Sequence, residues 1–454
     1  GLNGSGRAPA ALSADTLRAA GHQSVPSRGW LPVTVPGAPR AWRDLHARFG
    51  RLDFERVLAP AIGVAEDGYA VSPIVALYWG RAARAYAANV EPEFAGWADT
   101  FLYQGRAPAA GEIWHSLRMS RTLRQLAQSG CEDLYAGPLA EQIVAFAQQT
   151  GGLLSAADLA GHASAWVDPI STSYRGYDVW ELPPNGQGLA ALIALNILEG
   201  YDLARLGRES LDAYHLQIEA MKLAFADAHR YIADPDLAPA PAGLLDKGYA
   251  AERRRLISEA AADPGPGSPP GGGTVYLCAA DGDGMMVSYI QSNYMGFGSG
   301  IVVPETGIAL QNRGACFSLE PGHPNELAPG KRPFHTIIPG FLTLNGDPIG
   351  PFGVMGGAMQ PQGHVQMILN TIDWALNPQA SLDAPRWQVT GGRGVLLEYG
   401  VPRHIVEGLQ RSGHEVQPDA EGGKFGRGQI IWRLPSGALV GGSDTRADGC
   451  AVGL

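Results

Sequence analysis

Thr274 stands where a flexible stretch ends and a strand begins. Residues 261–273 read Ala-Ala-Asp-Pro-Gly-Pro-Gly-Ser-Pro-Pro-Gly-Gly-Gly, a composition that holds neither a helix nor a central strand. In a continuous chain, Thr274 is an ordinary strand residue after an interdomain linker. If the Gly273–Thr274 bond is cut, the hydroxyl acquires a free α-amine beside it, and that amine can take its proton as general base. Gly273 places no side chain near the carbonyl that the Thr274 hydroxyl must attack. An N→O acyl shift would then give an ester that water hydrolyses, so Gly273 and Thr274 form a candidate self-cleavage site.

Competing chemistries leave weaker traces. An α/β serine hydrolase needs Gly-x-Ser-x-Gly, whereas Gly296-Phe297-Gly298-Ser299-Gly300 puts its Ser one place late. No Gly-x-Gly-x-x-Gly opens a helix after a strand, which excludes the usual dinucleotide site. His215, Glu219, Asp227 and His229 share one long helical stretch without a His-Glu-x-x-His pattern, so they read as helix polar residues, and no metal or other cofactor is expected. The four cysteines are scattered and lack Cys-x-x-Cys spacing. Net charge is −10, with no Lys/Arg-rich run, so nucleic acid has no electrostatic footprint. The longest apolar run, 189–198, is too short for a bilayer and reads as a buried helix. The chain opens on Gly1 rather than Met, so the cytoplasm and the periplasm both stay open.

The elements that must position Thr274 follow from periodicity. Strands at 275–280 and 285–292, joined by Asp281-Gly282-Asp283-Gly284, predict a hairpin with Thr274 at its head. Helices are expected at 57–65, 123–129, 138–148, 211–232 and 362–375. Short strands are expected at 300–303, 307–311, 337–344, 350–354, 395–398 and 428–433.

Taken together, these residues resemble the γ-glutamyltranspeptidase family, whose small subunit opens with a Thr and a short strand. The resemblance runs through Pro183-Pro184-Asn185-Gly186-Gln187-Gly188, Lys331-Arg332-Pro333, Gly353-Val354-Met355-Gly356-Gly357 and Leu382-Asp383-Ala384-Pro385-Arg386. It implies an α+β fold, the four-layer α-β-β-α sandwich of N-terminal nucleophile hydrolases with antiparallel sheets. It also implies a mostly helical large-subunit part, 1–273, lacking the family's N-terminal segment, and a small subunit, 274–454, the two staying associated after cleavage. The implied reaction is cleavage of γ-glutamyl amides such as glutathione through an acyl-enzyme on Thr274, with Ser292 assisting the nucleophile and Gly356 and Gly357 as oxyanion donors. Tyr294, Arg313, His335, Thr336 and Arg7 are the implied substrate-binding set. Arg7 lies two residues past Ser5, which holds the place of the family's carboxylate-binding Arg.

One departure bears on the substrate. Arg313 and Cys316 replace the two acids that hold the substrate ammonium in the glutathione-cleaving enzymes. His335-Thr336 replaces a Ser-Ser pair, and Tyr276 replaces a His. A guanidinium repels an ammonium and attracts a carboxylate in bidentate fashion, as glutaryl amides of the cephalosporin acylase branch would require. A small-molecule amide is the expected partner, with no nucleic acid or membrane. A catalytically dead scaffold of the same fold is the remaining alternative.

Overall fold

The computed structural model describes residues 1–264 and 274–453. Gly273 and most of the linker lie outside the described residues, so the cleavage-site expectation meets the structure only at Thr274. The chain forms two compact units, 1–167 with 293–335, and 168–292 with 336–454. Each unit draws on both sides of position 274. The 273/274 boundary is an expected covalent cut and does not follow the packing.

The second unit is built on a six-stranded sheet. Its strands are β1 (Ile170–Tyr174), β2 (Tyr177–Glu181), β5 (Gly340–Leu344), β6 (Asp347–Met355), β10 (Arg427–Arg433) and β11 (Leu439–Ser443), in the order β11-β10-β6-β5-β2-β1, all antiparallel. The expected hairpin is β3 (Thr274–Ala280) paired with β4 (Met286–Ser292). A third sheet holds β7 (Trp387–Gly391), β8 (Gly394–Glu398) and β9 (Glu415–Asp419). The pair β7 and β8, the hairpin and every pair of the six-stranded sheet are antiparallel, as expected, whereas β8 and β9 are parallel. The helix Arg403–Arg411 lies between them in sequence, the crossover that a parallel pair needs.

Helices α1 (Gly188–Leu198), α2 (Leu211–Tyr231) and α3 (Met359–Ile372) are the longest of this unit. Every residue of α1 is buried, as a sequence apolar but for Asn196 demands, and Asn196 Nδ2 donates to the Leu245 carbonyl at 2.8 Å. Alternation along β6 puts the hairpin and α3 on opposite faces of the sheet. A Cβ on Gly353 would lie 2.5 Å from the Tyr276 ring of β3, while Val354 faces Gly363 of α3, where a Cβ would come within 2.8 Å. Helix, sheet and hairpin thus follow one another as successive layers of an α+β fold.

Helix α3 is buried yet carries Gln360, Gln362, His364 and Gln366. Their side chains accept from backbone N–H groups on the edge strand β7, on the inner strand β6 and on the segment before β5. Gln360 Oε1 accepts from Ile338 N at 3.0 Å, Gln362 Oε1 from Val389 N at 2.7 Å, and Gln366 Oε1 from Trp387 N at 3.1 Å. His364 Nε2 accepts from Val354 N at 3.3 Å, and its Nδ1 lies 2.5 Å from Glu181 Oε1. Buried amide and imidazole groups are tolerated here because each meets a backbone group that would otherwise go unsatisfied.

The first unit is mainly helical, with helices at Ala38–Phe49, Phe54–Asp67, Pro73–Tyr86, Leu117–Ser129 and Pro138–Thr150. No full strand forms over 300–303 or 307–311, but the two segments do run against each other. Val302 and Ala309 form an isolated antiparallel bridge, and Leu310 N donates to the Ile301 carbonyl and Val303 N to the Ile308 carbonyl, each at 2.9 Å. Ile301, Val303 and Leu310 are buried in a core with Ile143, Ala147, Tyr135 and Leu134. The segments thus keep a local antiparallel pairing while helices cover their apolar side chains, and periodicity alone does not reveal which element will cover such a run. Among the described residues, no helix is long and apolar enough to cross a membrane.

Candidate active site

The register of the hairpin places Thr274 directly opposite Ser292. Their hydroxyls, Oγ1 and Oγ, lie 2.9 Å apart, and either can donate. The pair therefore follows from backbone pairing, which fixes the side chains on one face. Two residues on, Tyr276 is buried on the same side of β3 and its hydroxyl lies 2.9 Å from Ser288 Oγ. Burial raises its pKa well above the usual value, so it stays a neutral hydrogen-bonding group. Its ring lies over Gly353, which locks the nucleophile's strand onto β6.

Gly356 and Gly357 follow β6 directly and lead into α3. Their φ values, +143° and +62°, are conformations that a side chain would resist. The Gly356 carbonyl accepts from Met359 N at 3.1 Å and the Gly357 carbonyl from Gln360 N at 3.2 Å. In a trans peptide the N–H opposes the carbonyl, so tying the Gly356 oxygen to α3 turns the Gly357 N–H away from that helix. Such preorganised N–H groups are what a tetrahedral oxyanion requires.

Thr336 lies in the same unit, 1% exposed. Its carbonyl and that of Gly357 both accept from Gln187 Nε2, at 2.6 and 2.8 Å. Gln187, flagged in the sequence only as part of a Pro/Gly turn, is the residue that sequence reasoning missed. Nothing local in the sequence marks it, because its burial is decided by the fold.

Arg313, Tyr294 and His335 belong to the first unit and form a cluster there. Arg313 is 3% exposed, on a short 3-10 turn (Arg313–Cys316), with its guanidinium 4.4 Å from the centre of the Tyr294 ring. Its Nη1 lies 3.9 Å from Cys316 Sγ. Burial lowers the Arg313 pKa and raises those of Tyr294 and Cys316. Burial, and then the Arg313 charge, hold His335 well below the ordinary imidazole range, so it is neutral at pH 7. Tyr294 takes a left-handed backbone, φ 72°. Arg7 sits elsewhere in this unit, donating from Nη1 to the Gly330 carbonyl at 3.0 Å. The chain passes between the units directly after Ser292 and directly before Thr336.

The four helical residues weighed as metal ligands separate. His215 and Glu219 meet His414 with ligand atoms within 4.8 Å of one another. Lys222 Nζ, however, donates to Glu219 Oε1 at 2.9 Å and to the Ala262 carbonyl at 3.0 Å. An ammonium among these donors opposes a divalent cation. The cluster instead grips the chain before the linker, since Ala262 N donates to Glu219 Oε2 at 3.1 Å and the Ser258 carbonyl lies 2.7 Å from His215 Nε2. Asp227 pairs with Arg253 at 3.0 Å, and His229 stacks on Phe225.

Among solved structures, the chain is similar to the crystal structure of cephalosporin acylase from Bacillus halodurans, at 54% identity and a TM-score of 0.95, covering 99% of this chain and 83% of that one. The glutathione hydrolase-like YwrD proenzyme of Bacillus subtilis (strain 168) is 36% identical, over 100% of this chain and 86% of its own length. The oxamate amidohydrolase proenzyme of Klebsiella pneumoniae is 35% identical, over 98% and 85%. The model of the gamma-glutamyltranspeptidase family matches residues 1–454, and the chain belongs to that family of N-terminal nucleophile hydrolases.

Proposed function

We propose that the chain is a self-processing amidohydrolase that cleaves the amide of a dicarboxylic acyl group through an acyl-enzyme on Thr274. The observation that carries this reading is Thr274 at the first position of β3, with its hydroxyl 2.9 Å from that of Ser292. In self-cleavage, Thr274 Oγ1 attacks the Gly273 carbonyl carbon and the C–N bond breaks as the Thr274 nitrogen takes a proton. Water then hydrolyses the ester, leaving a Gly273 carboxylate and a free Thr274 amine. That amine accepts the hydroxyl proton during attack on the substrate amide and passes it to the leaving amine. Water releases the acyl group by the reverse relay. The Gly356 and Gly357 N–H groups are the oxyanion donors in this scheme, and Ser292 orients the nucleophile.

The fragments 1–273 and 274–454 stay associated, because β1 and β2 come from the first and the other four strands of the same sheet from the second. The names of relatives recorded as proenzymes support such processing. N-terminal sequencing of the smaller fragment tests it, and a start other than Thr274 would overturn it. A single intact band persisting on a denaturing gel would favour the dead scaffold.

Family membership favours γ-glutamyl amides such as glutathione as substrates. Arg313 favours a second reading, an acyl group ending in a bare carboxylate such as glutaryl, since it replaces an ammonium-binding acid with a cation. Losing two charge-assisted hydrogen bonds, each worth about 1.5–3 kcal/mol, weakens a γ-glutamyl group by roughly a hundredfold or more. Comparing kcat/KM for γ-glutamyl and glutaryl anilides on the processed enzyme decides between them.

A further inference from the structure

We infer that Gln187 is a positioning residue for the oxyanion turn. It acts by pinning the Gly357 peptide to the backbone of Thr336. The inference rests on the reading of Gly356 and Gly357 as oxyanion donors, and adds a residue that does not touch substrate.

Gln187 occupies the N-cap position of α1 but makes no side-chain cap to that helix. Its side chain is 1% exposed, and its Nε2 donates to both the Thr336 and the Gly357 carbonyls. Because both partners are acceptors, the amide orientation is determined: only the –NH2 end, with its two hydrogens, can face them. The Gly357 carbonyl thus accepts two hydrogen bonds, one from Gln360 N of α3 and one from Gln187.

A glycine at φ +62° has access to several ψ values at little cost. Two donors on its carbonyl select one of them and hold the turn before any charge develops on the substrate. Backbone N–H groups stabilise an oxyanion only when aimed in advance, and a displacement of about 1 Å can cost on the order of a hundredfold in rate. Neither the Gly356 nor the Gly357 N–H has a hydrogen-bond acceptor among the described residues, as expected of donors kept for a ligand. The second bond makes Gln187 a bridge. One nitrogen links the oxyanion turn to the segment that follows Lys331-Arg332-Pro333, so the two cannot drift independently.

The test compares Q187M and Q187E with wild type on processed enzyme, using steady-state hydrolysis of an anilide substrate, thermal unfolding and intact mass. Q187M keeps the chain length but removes both donors, and its kcat is expected to fall 10- to 100-fold with KM within threefold. Q187E places a carboxylate against two carbonyls and is expected to lose more than 100-fold at pH 8. Its kcat, relative to wild type, should recover at least tenfold toward pH 5, as the protonated acid regains one donor. A merely structural role would lower the thermal midpoint of both variants in step with kcat, whereas a positioning role lowers kcat with the midpoint little changed. Q187M with wild-type kcat, a loss confined to KM, or Q187E following the pH profile of Q187M would each overturn the inference. If Q187E does not fold or process, the Q187M result decides alone. Intact mass of wild type during turnover reports acylation on Thr274 separately, so failure of the nucleophile reading is distinguishable from failure of the Gln187 inference.

Discussion

The nucleophile region and the Arg313 region are held together by different means. Around Thr274 the geometry is set by backbone: a strand register opposes Thr274 and Ser292, a glycine admits the Tyr276 ring, and an amide pins the Gly357 carbonyl. Around Arg313 it is set by side chains on irregular segments: a 3-10 turn, a left-handed Tyr294, and a guanidinium against an aromatic face and a thiol. A backbone-defined site tolerates few changes without loss of the fold, whereas a side-chain cluster can be rewritten a residue at a time. Under the proposed roles, this would let the hydrolytic residues persist while the acyl specificity changes.

The largest effect that could break this contrast is at the nucleophile. T274A should remain full-length on a denaturing gel and lose at least about 10⁴-fold in hydrolysis; two bands from this variant would refute the assignment. At the side-chain cluster, R313A should lower kcat/KM for the glutaryl anilide by about 10- to 100-fold and spare the γ-glutamyl compound. Equal losses on both would show that Arg313 supports structure rather than selecting the acyl group.

G353A should lower stability by about 1–3 kcal/mol in urea titration, because the new Cβ meets the Tyr276 ring. The double variant G353A/Y276A should recover part of that loss; full additivity would remove the proposed lock between β3 and β6. S292A should slow self-cleavage by about 3- to 10-fold, the worth of one hydroxyl hydrogen bond, as followed by precursor decay on gels.

The smallest effect is on acid stability, and it should appear in both units. Burial holds His414 near 3 and His162 near 4, each below its unfolded value of about 6.5. Between those values the unfolded chain binds more protons than the folded one, so stability is full above about pH 6.5 and falls as pH drops toward 3–4. Thermal midpoints measured from pH 7 to 4 should decline, and H414Q should decline less steeply.

Much of the functional core was legible because it is local. The Gly-rich stretch before Thr274 and the Asp-Gly turn mark the hairpin, but the expected strands, 275–280 and 285–292, would set Thr274 against Gln291. The structure pairs Ala280 with Met286 and so Thr274 with Ser292, a one-residue difference in register that the turn residues did not specify. The 211–231 helix and the buried run of α1 were equally plain from pattern. Positions 301 to 310 were legible in part: the two segments do pair, at one bridge and its flanking backbone bonds, but an apolar run does not reveal that helices will cover it.

What only the tertiary structure decided lies between residues far apart in sequence. Gln187 reaches Thr336 and Gly357, Glu181 meets His364, and Lys222 joins Glu219 with the carbonyl of Ala262. Glutamine, histidine and lysine in a sequence read as solvated polar groups, because nothing local distinguishes them from surface residues. Their roles arise once folding buries them beside backbone groups that have lost water, where each must find a partner or destabilise the fold.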